Sequence, residues 1–228
     1  MANVAITGAA RGIGLELANQ HLALGDRVFA LVRDPAAAER LNALAAGSGG
    51  LLSVHAMDVR DDASVRAGAA STGDAPIDIL YNVAGITGTA EPELEGADWA
   101  AFDDALNIML KGPLRVLQAF LPRLHNGARI INFSSQLAAS GWPYGGYYAY
   151  GAAKAGMARM MRSVAIDLRE RGIVVGIIHP GYVQTDMGGP AADITPEESA
   201  RAIRKLTAEW PLDRSGDFYK WNGEPHAW

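Results

Sequence analysis

Short apolar runs alternate with longer stretches of helical character along nearly the whole chain. The runs cover 2–7 (ANVAIT), 27–32 (RVFALV), 51–57 (LLSVHAM), 77–83 (IDILYNV), 129–134 (RIINFS) and 173–178 (IVVGII), with a shorter candidate at 217–221 (DFYKW). Several are rich in Val and Ile, and they lack the polar–apolar alternation of a strand with one wet face. Continuous apolar runs of this length fit parallel strands buried on both faces. The spacing predicts helices over 12–24, 35–46, 61–71, 98–110, 113–125, 149–171 and 196–209. Gly25 and Gly172 follow the first and sixth, where left-handed C-terminal residues belong. Pro35, Pro113 and Pro196 stand where first helical turns begin. Strand–helix alternation with right-handed crossovers predicts an α/β fold, a single doubly wound domain over 1–228 with a mostly parallel seven-stranded sheet and helices on both faces. The polar, Gly/Pro-rich loops 86–97 and 185–196 follow strand C-terminal ends, where ligands bind in such sheets.

Composition narrows the function classes. With 228 residues, 49% hydrophobic and 20% charged, the chain carries enough apolar surface for one large core. The net charge of −5 argues against a nucleic-acid partner. Cysteine is absent, which removes disulfides, thiolate nucleophiles and thiolate metal sites. The five histidines are scattered without ligand pairing, so no metal is expected. No apolar run approaches the roughly 20 residues that cross a bilayer. The first residues, MANVAITGAARGIG, lack the basic and apolar regions of a signal peptide. A soluble cytoplasmic protein without a membrane partner is expected.

The first strand runs into Thr7-Gly8-Ala9-Ala10-Arg11-Gly12-Ile13-Gly14 and then a helix. Glycines there let backbone N–H groups approach a pyrophosphate at a positively polarised helix N-terminus, as in Rossmann domains. The spacing Gly-x-x-x-Gly-x-Gly differs from Gly-x-Gly-x-x-Gly, and a plain glycine-rich turn is the competing reading. The second strand ends Val32-Arg33-Asp34, with no carboxylate at the position that would hold a ribose 2′-hydroxyl. Arg33, with Arg11 from the glycine loop, can hold a 2′-phosphate, which favours NADP(H) over NAD(H). Both arginines can equally be solvated surface groups, and Asp34 can neutralise Arg33. Asp58, followed by Val59, closes the third strand and either accepts from an adenine amino group or caps the next helix. Asn82-Val83-Ala84-Gly85 ends the fourth strand, and its small, flat segment suits close backbone approach to a cofactor.

Tyr150 and Lys154 stand at the start of a long helix in i, i+4 spacing, hence on one face. A nearby ammonium favours the phenolate and draws the tyrosine pKa downward. A phenol so tuned can donate a proton to a carbonyl or take one from an alcohol. A surface helix pair is the bland alternative. Tyr147 shares the face at i+7 but needs a helix through Gly145 and Gly146. Ser135 ends the fifth strand and can bond the substrate oxygen, whereas Ser134 points the other way by strand alternation. Asn107, in the helix after strand four, can hold a water that passes protons outward from Lys154, or simply bond within its own helix. His179, before Pro180, reads as a strand-end residue rather than a base.

Taken in order, Thr-Gly-x-x-x-Gly-x-Gly, Asn-x-Ala-Gly, Asn, Ser, Tyr-x-x-x-Lys and Pro-Gly resemble the short-chain dehydrogenase/reductase family from Thr7 to about Gly189. The segment 179–189 (HPGYVQTDMGG) and the ending 217–223 (DFYKWNG) look like its C-factor-like and sniffer-like carbonyl reductase branch. The resemblance implies Tyr150 as acid/base, Lys154 as its activator and ribose ligand, Ser135 as oxygen partner and Asn107 as relay. It implies Gly8, Arg11, Gly12, Ile13 and Gly14 around the phosphates. Asn82, Ala84, Gly85, Pro180, Gly181, Val183 and Thr185 would also face the cofactor, the last two at the nicotinamide carboxamide. A cofactor half over about 1–110 and a catalytic and substrate half over about 111–228 follow. The expected reaction is hydride transfer between NADP(H) and a small carbonyl or secondary alcohol. The alternative is a nucleotide-binding C-factor-like signalling or regulatory module with little turnover. Val83 replaces the family's usual second Asn, and the Ser135–Tyr150 spacing of fifteen is slightly long. The aromatics in 141–147 suggest an apolar or aromatic substrate. The chain lacks the long insertion of monomeric carbonyl reductases, which implies a homodimer or homotetramer built on the 98–125 and 149–171 helices.

Overall fold

The computed structural model describes residues 1–87, 94 and 96–228. Seven strands form one wholly parallel sheet: β1 Asn3–Thr7, β2 Arg27–Val32, β3 Leu52–Ala56, β4 Ile77–Asn82, β5 Leu124–Phe133, β6 Val174–His179 and β7 Phe218–Lys220. Their spatial order is β3-β2-β1-β4-β5-β6-β7. The chain winds outward from β1 to β3, then returns to β4 on the other side of β1. That reversal opens a crevice above the C-terminal ends of β1 and β4, the place where doubly wound sheets bind ligands.

The helices are α1 Gly12–Ala23, α2 Glu39–Ala46, α3 Asp62–Ser71, α4 Trp99–Ala105, α5 Gly112–Phe120, α6 Tyr148–Asp167 and α7 Pro196–Glu209. One apolar layer joins Leu15, Leu17, Leu41, Ile203 and Trp210 from the α1, α2 and α7 side to Ile6 and Ala30 of the sheet. The other joins Val65, Val116, Phe120, Met157 and Met161 from the α3, α5 and α6 side to Ala5 and Leu80. The strands are covered on both faces, as their unbroken apolar runs require.

Most predicted boundaries hold within a few residues. Gly25 and Gly172 take the left-handed conformation, with φ of 77° and 66°. Pro196 opens α7 behind a capping box of Thr195 and Glu198. Pro35 does not open α2. The Asp34 carboxylate accepts from the N–H groups of Ala36 and Ala37 at 3.0 and 3.3 Å and holds a turn instead. The helix expected over 113–125 ends at Phe120, and β5 starts at Leu124, ahead of a register shift between Ile77 and Ile79. The helix expected over 98–110 changes to π-type winding over Leu106–Lys111. Most of the 86–97 loop lies outside the described residues. Among the described residues no helix is long and apolar enough to cross a membrane, and no cluster of His, Asp and Glu could hold a metal.

Candidate active site

A cleft of about 540 Å³ opens over the strand ends, from the glycine loop across Arg33 and Asp58 to Tyr150, Lys154 and Thr185. Its floor is built by backbone packing against backbone. Gly8 has a φ of +69°, and a β-carbon on it would lie 2.8 Å from the Ala84 N and Cα atoms. A β-carbon on Gly14 would lie 2.4 Å from the Gly8 carbonyl oxygen. The first turn of α1 is thereby held tight against the loop. Gly12 and Ile13 line the cleft, where the unpaired N–H groups of a helix start suit an anionic phosphate. These bare glycines are the cradle a dinucleotide needs. Thr7 ties the floor together, accepting from the N–H groups of Val83 and Ala84 at 3.1 and 3.3 Å and donating to the Tyr81 carbonyl.

At the adenosine end, Arg33 and Asp34 line the cleft side by side. Asp34 is spent on the turn that precedes α2, and among the described residues no carboxylate pairs with Arg33. Asp58 is gripped by Arg60 through Nε at 3.1 Å and Nη2 at 2.7 Å, which holds its carboxyl below the ordinary range. The cap of α3 is Asp61, whose carboxylate accepts from Ser64 N–H at 2.6 Å, so the capping alternative for Asp58 falls away. Val59 is buried, and its carbonyl accepts from Arg115 at 3.4 Å. Arg11 reaches across the cleft mouth to Asp186 at 3.0 Å, with both side chains mostly exposed.

Asn82 donates through Nδ2 to Asn132 Oδ1 at 2.9 Å, and Asn132 donates in turn to the Gly176 carbonyl at 3.2 Å. The Oδ1 of Asn82 is buried with no partner among the described residues. A buried acceptor of this kind is costly unless a donor meets it, and the β4 exit that carries it borders the cleft through Val83, Ala84 and Gly85. Pro180 and Thr185 also line the cleft. Thr185 accepts from Gly188 N–H, and its methyl lies 3.1 Å from where a β-carbon on Gly12 would sit. Gly181 packs against Ile194 and Trp221, and Val183 is buried in a bridge to Ile194.

The candidate catalytic side chains meet where β5 exits beside α6. Gly146 and Tyr147 both have positive φ, at 81° and 53°, and end the chain's turn before α6 begins at Tyr148. Tyr147 is therefore outside the helix and half exposed, while Tyr150 and Lys154 point from its first turns into the cleft. The Lys154 Nζ donates to the Phe133 carbonyl at 2.5 Å and lies 5.7 Å from the centre of the Tyr150 ring. Burial lowers its pKa to about 8. Ser134 donates to the Lys154 carbonyl at 3.2 Å, while Ser135, on the opposite side of the strand, lies beside the Tyr150 phenol. Burial pushes that phenol upward, and Ser135 partly opposes the rise. The downward pull expected from Lys154 does not prevail. Burial of the phenol is the larger influence.

Asn107 sits in the π-type turn with its Oδ1 accepting from Arg115 at 2.9 Å, and its side chain is not among those that line the cleft. Ile108 and Met109 take the wall instead, because π winding adds a residue to the turn and rotates the face that meets Lys154. His179 is a strand-end residue: its Nδ1 accepts from Gln136 N–H at 3.2 Å, and burial lowers its pKa to about 4. Sequence reasoning also passed over Thr7 and Asn132. Both are polar residues that close apolar runs, in register with Asn82 on the strand between them.

The family model of short chain dehydrogenases matches residues 2–194. The C-signal protein of Myxococcus xanthus is 36% identical over 167 residues, which is 72% of this chain and all of that protein. The NADPH-bound carbonyl reductase from chicken fatty liver superposes with a TM-score of 0.92 at 33% identity, covering 100% of this chain and 99% of that one. The carbonyl reductase Sniffer of D. melanogaster superposes with a TM-score of 0.93 at 28% identity, covering both chains fully.

Proposed function

The chain belongs to the short chain dehydrogenase family, and from that premise we propose that it is an NADP(H)-dependent carbonyl reductase in which Tyr150 handles the proton. The observation that carries this reading is that Tyr150 and Lys154 line the inner end of a cleft, with Ser135 beside the Tyr150 phenol though Ser134 rather than Ser135 lines the cleft itself, while the outer end offers a glycine cradle and, among the described residues, an Arg33 that no carboxylate pairs with. The cofactor supplies the hydride when bound, and the protein positions the reacting groups and stabilises charge. Ser135 and Tyr150 both present hydroxyls to the substrate oxygen. Burial keeps the Tyr150 phenol protonated near neutral pH, the state a proton donor to a carbonyl requires. Lys154 holds the nicotinamide ribose and shares the phenol's pocket. The N–H groups at the start of α1 take the pyrophosphate, and Gly8, Ala84 and Gly85 let it approach. The 33% identity to an NADPH-bound carbonyl reductase supports the cofactor choice.

Beside the catalytic helix lies a hollow of about 270 Å³ walled by Trp142, Tyr144, Tyr147 and Tyr148. Its aromatic rim supports an apolar or aromatic substrate. The test is oxidation of NADPH and NADH against a panel of aldehydes and aryl ketones. Turnover with NADPH supports the reading. Tight NADPH binding without turnover on any substrate favours the second reading, a nucleotide-binding regulatory module, for which the identity to C-signal is the argument.

Arg33→Ala is expected to raise the KM for NADPH about tenfold or more and leave NADH unchanged, since it removes a charge-assisted contact that only a 2′-phosphate makes. Equal losses for the two cofactors reject the phosphate role. The same reading includes a homodimer or homotetramer, supported by exposed apolar side chains on the helices concerned, Trp99 on α4 and Ile166 on α6. Sedimentation should show a species of at least twice the 24.1 kDa chain mass. A single monomeric boundary at micromolar concentration counts against it.

A further inference from the structure

Beyond β7 the chain turns back at Gly223, whose φ is +87°, and runs antiparallel to that strand. Tyr219 bridges Pro225, and the His226 N–H donates to the Phe218 carbonyl at 2.8 Å. The return lays two rings on the buried Phe218. His226 stacks on it with centroids 4.4 Å apart, and Trp228 meets it edge-on at 5.9 Å. His226 also meets the His179 ring edge-on at 5.4 Å. The loop that leaves β5 with Ser135 reaches both places. Its Gln136 N–H donates to His179 Nδ1 at 3.2 Å, and its Ser140 N–H donates to the Trp228 carbonyl at 2.9 Å. Between those two points lies the tight turn Gln136–Ala138. That turn is tied to the candidate chemistry, because the Leu137 N–H donates at 3.2 Å to Ser135 Oγ, the hydroxyl that borders the Tyr150 phenol.

We propose that His226 and Trp228 are positioning residues, which clamp the 136–140 loop from the edge of the sheet and so hold the Ser135 hydroxyl beside Tyr150. The loop has little of its own to keep it in place. Gly141, Gly145 and Gly146 follow it and leave the chain conformationally free on that side. Its other neighbour is α6, against which the 136–138 turn packs. The two outward hydrogen bonds therefore fix where the turn sits, and Ser135 Oγ moves with the turn because it accepts from Leu137. The His179 contact requires a neutral ring with a free lone pair on Nδ1. Burial, with His226 and Lys220 close by, lowers the His179 pKa to about 4, so the ring stays neutral at working pH. None of residues 224–228 lines the cofactor cleft. The clamp acts on the reacting end of the site and leaves the nucleotide end alone.

The rate arm of the test rests on the reductase reading, and the exchange arm does not. In the full-length protein, His226→Ala combined with Trp228→Ala should lower kcat on a responsive carbonyl substrate about tenfold, since misplacing a reacting group by about 1 Å can cost about 10²-fold. NADPH affinity should stay as in the wild type. His226→Phe combined with Trp228→Phe keeps the rings and should restore the rate. On a Ser135→Ala background the alanine pair should cost nothing further, because the clamp then has no hydroxyl to place. A wild-type rate in the alanine pair, or losses that add on the Ser135→Ala background, overturn the proposal. Independently, amide exchange at Gln136 and Ser140 can be followed by NMR. It should be slow in the wild type and at least about tenfold faster in the alanine pair, with the β1 amides unchanged. Unchanged exchange in a folded alanine pair overturns the proposal. So does exchange at the free-chain rate in the wild type, even if the alanine pair fails to fold. Loop amides released by the alanine pair in a protein without turnover support the clamp and count against the reductase reading alone.

Discussion

Tyr150→Phe should lower NADPH-dependent turnover by about 10²-fold or more, the scale of a lost general acid, while NADPH affinity stays within about twofold. The substitution removes one oxygen and keeps the ring. The ring is what packs against the apolar layer beside α6, so the fold has no reason to change. The lost hydroxyl is the one that Ser135 borders and that burial keeps protonated near neutral pH. Without it the developing alkoxide has only the Ser135 hydroxyl and no proton to receive. Steady-state rates on a responsive carbonyl substrate, with NADPH binding read by fluorescence, separate the two effects. A rate within threefold of wild type rejects Tyr150 as the proton donor. A collapse in both rate and affinity would point to a cofactor-seating role instead.

The same residues show how far sequence alone reaches. Six strands were legible because a strand covered on both faces must be apolar throughout, and RVFALV or IVVGII leaves little else to form. The start of β5 was hidden because Leu124–Gly127 reads His-Asn-Gly after its first residue, a polar stretch that looks like a turn. Tyr150 and Lys154 were legible because their chemistry and their i, i+4 spacing both survive any local adjustment of the helix. The surroundings of Asn107 were not legible, for the opposite reason. A π-type turn keeps the composition of an α-helix while changing which residue faces inward, so no periodicity in the side chains reports it. Met109, which took the place, is an ordinary core residue by type and gives no chemical signal. The pKa relation of Tyr150 and Lys154 was also invisible. Its sign depends on whether burial or mutual charge is larger, and only the packing decides that. Thr7 and Asn132 could have been found beside Asn82, since a row of polar residues closing three apolar runs is a pattern in its own right.

The cradle makes the second large prediction. Gly14→Ala should lower NADPH affinity by at least about tenfold and reduce the melting temperature by several degrees. The added β-carbon would sit 2.4 Å from the Gly8 oxygen, 3.0 Å from the Gly8 carbonyl carbon and 3.1 Å from the Ala9 Cα. All three are backbone atoms, so no side chain can swing aside to relieve the contact. Either α1 retreats from the loop or the loop lifts from β4, where Gly8 is already pressed against Ala84. Overpacking of this kind costs about 1–3 kcal/mol. For a domain of this size each kcal/mol corresponds to about 2–4 °C. The affinity loss has a separate cause: the N–H groups that would face the pyrophosphate belong to the helix turn that must move. Gly25→Ala, just past the other end of α1, provides the contrast. Gly25 has a φ of 77° with nothing within 4 Å of a β-carbon, so alanine there meets only backbone strain of about 1–2 kcal/mol. It should soften the fold without touching NADPH binding. If Gly14→Ala melts and binds like the wild type, the close approach of loop and helix is not what builds the phosphate seat. If both variants lose affinity equally, the binding defect belongs to the general stability of α1, and the local argument fails.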